Sequence, residues 1–103
     1  MAKVKWTKDA VSDLRRIAEY IEVDSYKYSI ITIKFLFDST KILEHSPNAG
    51  RVVPEFRNET IRELIRGNYR VVYKITNKER IDILTVHHSK RLLSNNPLLE
   101  EYY

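Results

Sequence analysis

The residues best suited to chemistry lie late in the chain. "TVHHSKR", Thr85 to Arg91, sets two of the three histidines beside two cations at the end of an apolar run. Histidine changes charge near neutral pH, so His beside Lys and Arg is a place to look for proton transfer or phosphate contact. The surrounding charge agrees. From Arg57 to Arg91, nine Lys/Arg stand against four Asp/Glu, a net of +5. The first 56 residues carry nine against eight, and the tail from Leu92 onward carries only Glu100 and Glu101. A positive excess gathered in one segment fits a polyanionic or acidic partner.

The elements that position these residues follow from hydrophobic period. "KVKW", Lys3 to Trp6, alternates and reads as a short strand. Thr7 then suits an N-cap, with Asp9 in the first turn where the helix dipole favours it. Ala10, Val11, Leu14, Ile17, Ala18 and Ile21 line one face of a helix over Lys8 to Val23, leaving Asp13, Arg15, Arg16, Glu19 and Glu22 for water. Tyr26 to His45 runs for twenty residues without Gly or Pro, too long for an ordinary strand. Its Ile33, Leu36, Thr40 and Leu43 stripe predicts a second helix that stops before Pro47, with "SPNAG" as a turn.

Beyond Gly50 the period changes to two. "TIRELIRG", "NYRVVYKIT" and "RIDILTVHH" are rich in Val, Ile, Thr and Tyr and are separated by "GN" and "NKE", which predicts an antiparallel three-stranded meander. In the middle strand Tyr69, Val71, Tyr73 and Ile75 share one face, and Arg70, Val72 and Lys74 share the other. Strict alternation in the last strand, with Ile81 and Ile83 facing the helices, sends His87 toward the core. It sends His88 to the cationic face with Arg70. Adjacent strand residues point to opposite faces, and no Cys or HExxH spacing accompanies the histidines, so neither a metal nor a cofactor is expected.

Composition bounds the rest. The 103 residues, 43% hydrophobic, suffice for one core, so one domain over 1–103 is expected. The absence of cysteine excludes a disulfide framework and favours the cytoplasm. "MAKVKWTKDA" has no apolar leader segment, and no run approaches the roughly 20 apolar residues that span a bilayer.

The order of elements, with the phrases "SPNAGRVVPEF", "IRELIRGNYRVVYKI" and "IDILTVHHSKRLL", resembles the RelE/ParE superfamily of type II toxins over nearly the whole chain. The long hairpin and "GRVVPE" resemble the ParE-type branch and plasmid-stabilisation proteins more closely. The resemblance implies an α+β fold, a small twisted sheet with a helical hairpin packed on one face. It also implies a cytoplasmic growth inhibitor, neutralised by a cognate antitoxin in a hetero-oligomer and without a membrane partner.

Two targets stay open: DNA gyrase, poisoned by ParE-type members without nuclease chemistry, and mRNA in the ribosome, cut by RelE-type members. RNA cleavage needs an acceptor for the 2′-hydroxyl proton, a donor for the leaving oxygen and cations around the phosphorane. Arg70 matches the family's phosphate-contacting arginine and His88 its terminal-strand histidine, while Arg62 would extend the cationic surface and Glu55 or Glu59 would supply a carboxylate. Arg62, Arg66, Arg70, Lys74, Lys90 and Arg91 form the expected nucleic-acid or partner surface. Some nuclease members place a tyrosine just after the last strand; here Ser89, Lys90 and Arg91 stand there. That departure weakens the mRNA-cleavage reading, and by branch resemblance the lean is ParE-like. A third reading is an inactive homologue acting only as a binding module. For the antitoxin, the expectation is an amphipathic helix in the groove between hairpin and sheet, its acidic side chains meeting the cationic strands.

Overall fold

A computed structural model describes residues 1–88 of the chain. Strand β1 (Lys3–Trp6) leads into helices α1 (Lys8–Glu22) and α2 (Tyr26–Ser39). Strands β2 (Arg51–Val52), β3 (Ile61–Arg66), β4 (Tyr69–Asn77) and β5 (Arg80–His88) follow. The sheet order is β1-β5-β4-β3-β2, with β1 parallel to β5 and the other pairs antiparallel. The expected strand, helical hairpin and meander are all present. The two-residue β2 is an addition: it is too short to show a period, and only pairing with β3 defines it. Among the described residues no helix is long and apolar enough to cross a membrane.

Side chains cap both helices as their sequences direct. The Thr7 hydroxyl accepts the Ala10 N–H at 3.2 Å and donates to the Ile83 carbonyl at 2.7 Å, which ties the start of α1 to β5. Ser25 accepts the Tyr28 N–H at 3.1 Å to begin α2. The second helix ends earlier than its apolar stripe predicts. The Ser39 and Thr40 hydroxyls donate back to the Leu36 and Phe37 carbonyls, and the chain tightens into a 3₁₀ turn over Thr40–Glu44. The stripe still points inward, with Leu36 and Leu43 fully buried.

The helices cover one face of the sheet. There Ala10, Leu14, Leu36 and Leu43 pack on Leu64, Val71, Tyr73, Ile81 and Ile83. The opposite face is not simply cationic, because Val53, Phe56, Ile61, Val72 and Leu84 form a second buried cluster on it.

Strand β5 breaks the strict alternation. Val72 pairs with Thr85 and Tyr73 with Ile83, so Leu84 is an extra residue, a β-bulge. Ile81, Ile83 and Val86 all join the helix-side cluster while Leu84 joins the other. The Thr85 hydroxyl still reaches Asp13 of α1, but from Val86 onward the faces are reversed relative to expectation. His87 pairs with Arg70, and His88 pairs with Tyr69 on the helix side.

Asp13 marks a second departure, since its place on α1 predicts exposure and it is buried. Its carboxylate accepts the Thr85 hydroxyl and the Val86 N–H, the latter at 3.0 Å, and the Arg16 guanidinium also lies against it. The bulge supplies the reason: it turns backbone toward α1, and a buried N–H there needs an acceptor.

Tyr73 holds the connection before β2. Its hydroxyl donates to the Pro47 carbonyl at 2.7 Å and accepts the Gly50 N–H at 2.9 Å. Burial pushes the phenol above its ordinary value of 10.0, against smaller lowering effects from the Gly50 N–H and the Arg62 charge. Above that value an unfolded tyrosine releases its proton while folded Tyr73 keeps it, so the folded state binds more protons and stability falls as pH rises. Urea unfolding at rising alkaline pH should show this fall. Tyr73→Phe should lessen it while lowering stability near neutrality by about 1–3 kcal/mol through the lost hydrogen bonds. An unchanged alkaline slope in the variant would remove Tyr73 from the account.

Candidate functional site

Two separate groups replace the single cationic face. The first lies away from the helices. The two-residue turn at Gly67–Asn68 sets Glu63 opposite Val72, so Glu63 and Arg70 are diagonal neighbours on one face. The Arg70 guanidinium meets the Glu63 carboxylate through two bonds, Nε to Oε1 at 2.7 Å and Nη2 to Oε2 at 2.8 Å. Glu55, on the loop after β2, lies 3.6 Å from Arg70 Nη1, and Arg51 of β2 donates to Glu63 at 2.9 Å. The Glu63 side chain is fully buried and that of Arg70 is 9% exposed.

Fork geometry explains why Arg70 persists there. A planar guanidinium binds a carboxylate through two parallel bonds, and desolvation is tolerable only when the partners are fully engaged. Two arginines and two glutamates leave the cluster without net charge. Arg70 is committed to carboxylates, so it is not a ready cation for a phosphate.

The second group lies on the helix side at the end of the sheet. Arg66, Tyr69 and His88 form one row across β3, β4 and β5. The His88 ring meets the Tyr69 ring edge-on at 5.9 Å. A cleft of about 380 Å³ opens beside Tyr69 and His88, lined also by Asp13, Arg16, Ile17 and Tyr20 and by the end of β5 at Val86 and His87. Burial raises the Tyr69 phenol above its ordinary value, and the nearby Tyr28 and Tyr20 phenols add to the rise. His88 is exposed at this cleft.

The residues singled out in the sequence therefore divide. Glu55, Arg70 and His87 lie on the face away from the helices, and Lys74 follows the same alternation. Arg62 pairs with Tyr73 and Arg66 with Tyr69, which places both on the helix side, opposite to Arg70. Arg62 is spent on backbone, donating to the Gly50 and Glu59 carbonyls at 3.0 and 3.1 Å. Lys90 and Arg91 lie outside the described residues. Among the described residues no cluster of His, Asp or Glu could hold a metal ion.

The architecture and the comparisons with known proteins agree. The family model for the ParE toxin of the type II toxin-antitoxin system parDE matches residues 4–93. The chain belongs to this ParE toxin family, within the RelE/ParE superfamily. The chromosomal ParDE toxin-antitoxin system from P. aeruginosa contains a chain of similar fold. The likeness covers 85% of this chain and 96% of that one at 23% identity, with a TM-score of 0.69. The RelBE2 toxin-antitoxin complex from Mycobacterium tuberculosis is similar over 84% and 96%, again at 23% identity, with a TM-score of 0.57. No curated protein matches the chain.

For this ParE-family toxin, residue-by-residue reading of the sequence passed over Glu63, Arg51 and Asp13. Glu63 had a usable signal, because a two-residue hairpin turn fixes register and thereby its diagonal to Arg70. Asp13 had none, since its acceptor role exists only because of the bulge.

Proposed function

We propose that residues 1–103 act in the cytoplasm as one ParE-like toxin unit that poisons DNA gyrase and is held inactive by a cognate antitoxin. Membership of the ParE toxin family supports the branch. The similar structures from P. aeruginosa and M. tuberculosis are toxin-antitoxin systems, which supports the antitoxin. The observation that carries the choice of target is the enclosure of Arg70 by Glu63 and Glu55, on the face opposite to His88. An arginine so neutralised and a histidine across the sheet do not share a phosphate, and the nuclease constellation built on that pair is not assembled.

mRNA cleavage remains the second reading for one specific reason: Glu55, Arg70 and His87 share a face. It would give His87, rather than His88, the proton-transfer role.

The test uses purified protein with gyrase and supercoiled plasmid, and in parallel with ribosomes and mRNA. Under the lead reading cleaved DNA–gyrase complexes accumulate and mRNA stays intact, and neither His87→Gln nor His88→Gln changes the DNA result. Cut mRNA that disappears in a folded His87→Gln variant would transfer the assignment to the second reading. Absence of both effects, with growth unimpaired on expression, would leave a binding module.

A further inference from the structure

Among the described residues, strand β1 is paired on one side only. It lies at the end of the sheet order, and its N–H groups alternate between edges as those of any strand do. Lys3 and Thr7 donate inward, to the Glu79 and Ile83 carbonyls of the β5 side at 2.7 and 3.2 Å. Ala2 donates outward, to the Glu44 carbonyl at 2.9 Å, where the 3₁₀ turn after α2 covers the start of the edge. By the same alternation Val4 and Trp6 turn their N–H and C=O groups outward. Among the described residues none of these four groups has a protein partner. Among the described residues the uncovered edge is therefore two residues long, with donors and acceptors spaced for one added strand.

The charges beside this edge select what it accepts. Val4 and Trp6 pack against the helix-side core, so Lys3 and Lys5 project from the other face, and both are exposed. Lys3 stands beside Arg80 in register and Lys5 beside Asp82. Asp82 is already engaged by Arg80 at 2.9 Å and by Thr76 at 2.8 Å. Lys3 and Lys5 make no salt bridge among the described residues. A cleft of about 550 Å³ runs along the strand from Met1 to Lys5 and reaches Asn77, Glu79 and Arg80 at the β4–β5 turn. Glu79 is the one carboxylate among its lining residues.

Lysines on an edge strand ordinarily protect it from indiscriminate pairing. Here they also discriminate. A second copy of β1 would bring its own Lys3 and Lys5 against these two and be repelled, whereas a strand bearing carboxylates on the same face would be attracted. We propose that the outer edge of β1 is a docking site for an extended acidic segment of a partner protein, added as a further strand through Val4 and Trp6. Main-chain bonds hold it in place, and Lys3 and Lys5 set its charge. The proposal does not depend on whether gyrase or mRNA is the target.

The full chain is titrated with a synthetic acidic, β-branched peptide, and backbone amide exchange is followed by NMR. Val4 and Trp6 amides should exchange about tenfold more slowly or better once the peptide binds, while Lys3 and Thr7, already bonded to β5, should hardly change. Trp6, the sole tryptophan, offers a fluorescence readout on the same strand. Lys3→Glu/Lys5→Glu should weaken the acidic peptide by about tenfold or more and admit a basic one. Val4→Pro removes an outward donor that the native sheet does not use, and should abolish protection at Trp6. Should that variant unfold, the lysine reversal still decides. The proposal is overturned if the peptide leaves both amides unprotected, if a basic peptide protects the unaltered chain equally, or if the chain alone protects them by self-association.

Discussion

Glu63→Ala should destabilise this toxin by on the order of 3–5 kcal/mol, because it leaves the Arg70 guanidinium buried without its forked partner. In a domain of this size that corresponds to a melting temperature lower by roughly 15–30 °C. Glu55 cannot replace the loss from 3.6 Å with a single contact, and Arg51, whose side chain is 62% exposed, simply returns to water. The companion variant Glu63→Leu/Arg70→Leu separates desolvation from attraction. Removing both charges leaves no uncompensated ion, so the double variant should be more stable than Glu63→Ala despite its extra change. Thermal unfolding followed by circular dichroism tests both. A fall of only a few degrees for Glu63→Ala would mean that water reaches Arg70 and that the network is not closed.

Gly50→Ala is the second large effect, and its cause is contact rather than backbone conformation. A Cβ at Gly50 would lie 2.5 Å from the Glu63 carbonyl oxygen and 2.8 Å from both Cε1 and Oη of Tyr73. Backbone blocks one side, and a fully buried ring with two hydrogen bonds blocks the other. Overpacking of this kind costs about 1–3 kcal/mol, and displacement of the phenol adds about 0.5–1.5 kcal/mol for each bond broken. Gly67 makes the contrast: with φ of 59° it adopts the left-handed region, but an added Cβ meets nothing within 4 Å. Gly67→Ala should therefore cost only about 1–2 kcal/mol. Denaturant midpoints should place Gly50→Ala well below Gly67→Ala, and the reverse order would refute the steric assignment.

Both effects trace to β3 and β4, whose pairing could be read in advance. The "GN" turn and the alternation of "RELIRGNYRVVYKI" specify a hairpin whose register sets Arg66 opposite Tyr69 and Glu63 opposite Val72. What alternation did not convey is how arginine uses a buried face. Arg70 was legible as the cation of that face; its diagonal to Glu63 turned the same position into a neutral pair. Arg62 and Arg66 were legible as sharing a face, and the register across the turn puts that face under the helices rather than beside Arg70.

The sequence by itself determined the α+β class, the capped helical hairpin, the meander and its inward stripe, because each rests on local period and local capping chemistry. The placement of His87 and His88 was decided only by the tertiary structure. A strand's alternation carries no mark of where one residue will be left unpaired, and the extra residue at Leu84 arises from fitting β5 simultaneously to β4, β1 and α1. That single bulge reverses the two histidines, gives Asp13 its buried acceptor role and separates His88 from Arg70. Register and face are properties of pairs of strands, so a chain read one residue at a time reveals the candidates, and only the assembled sheet reveals which of them meet.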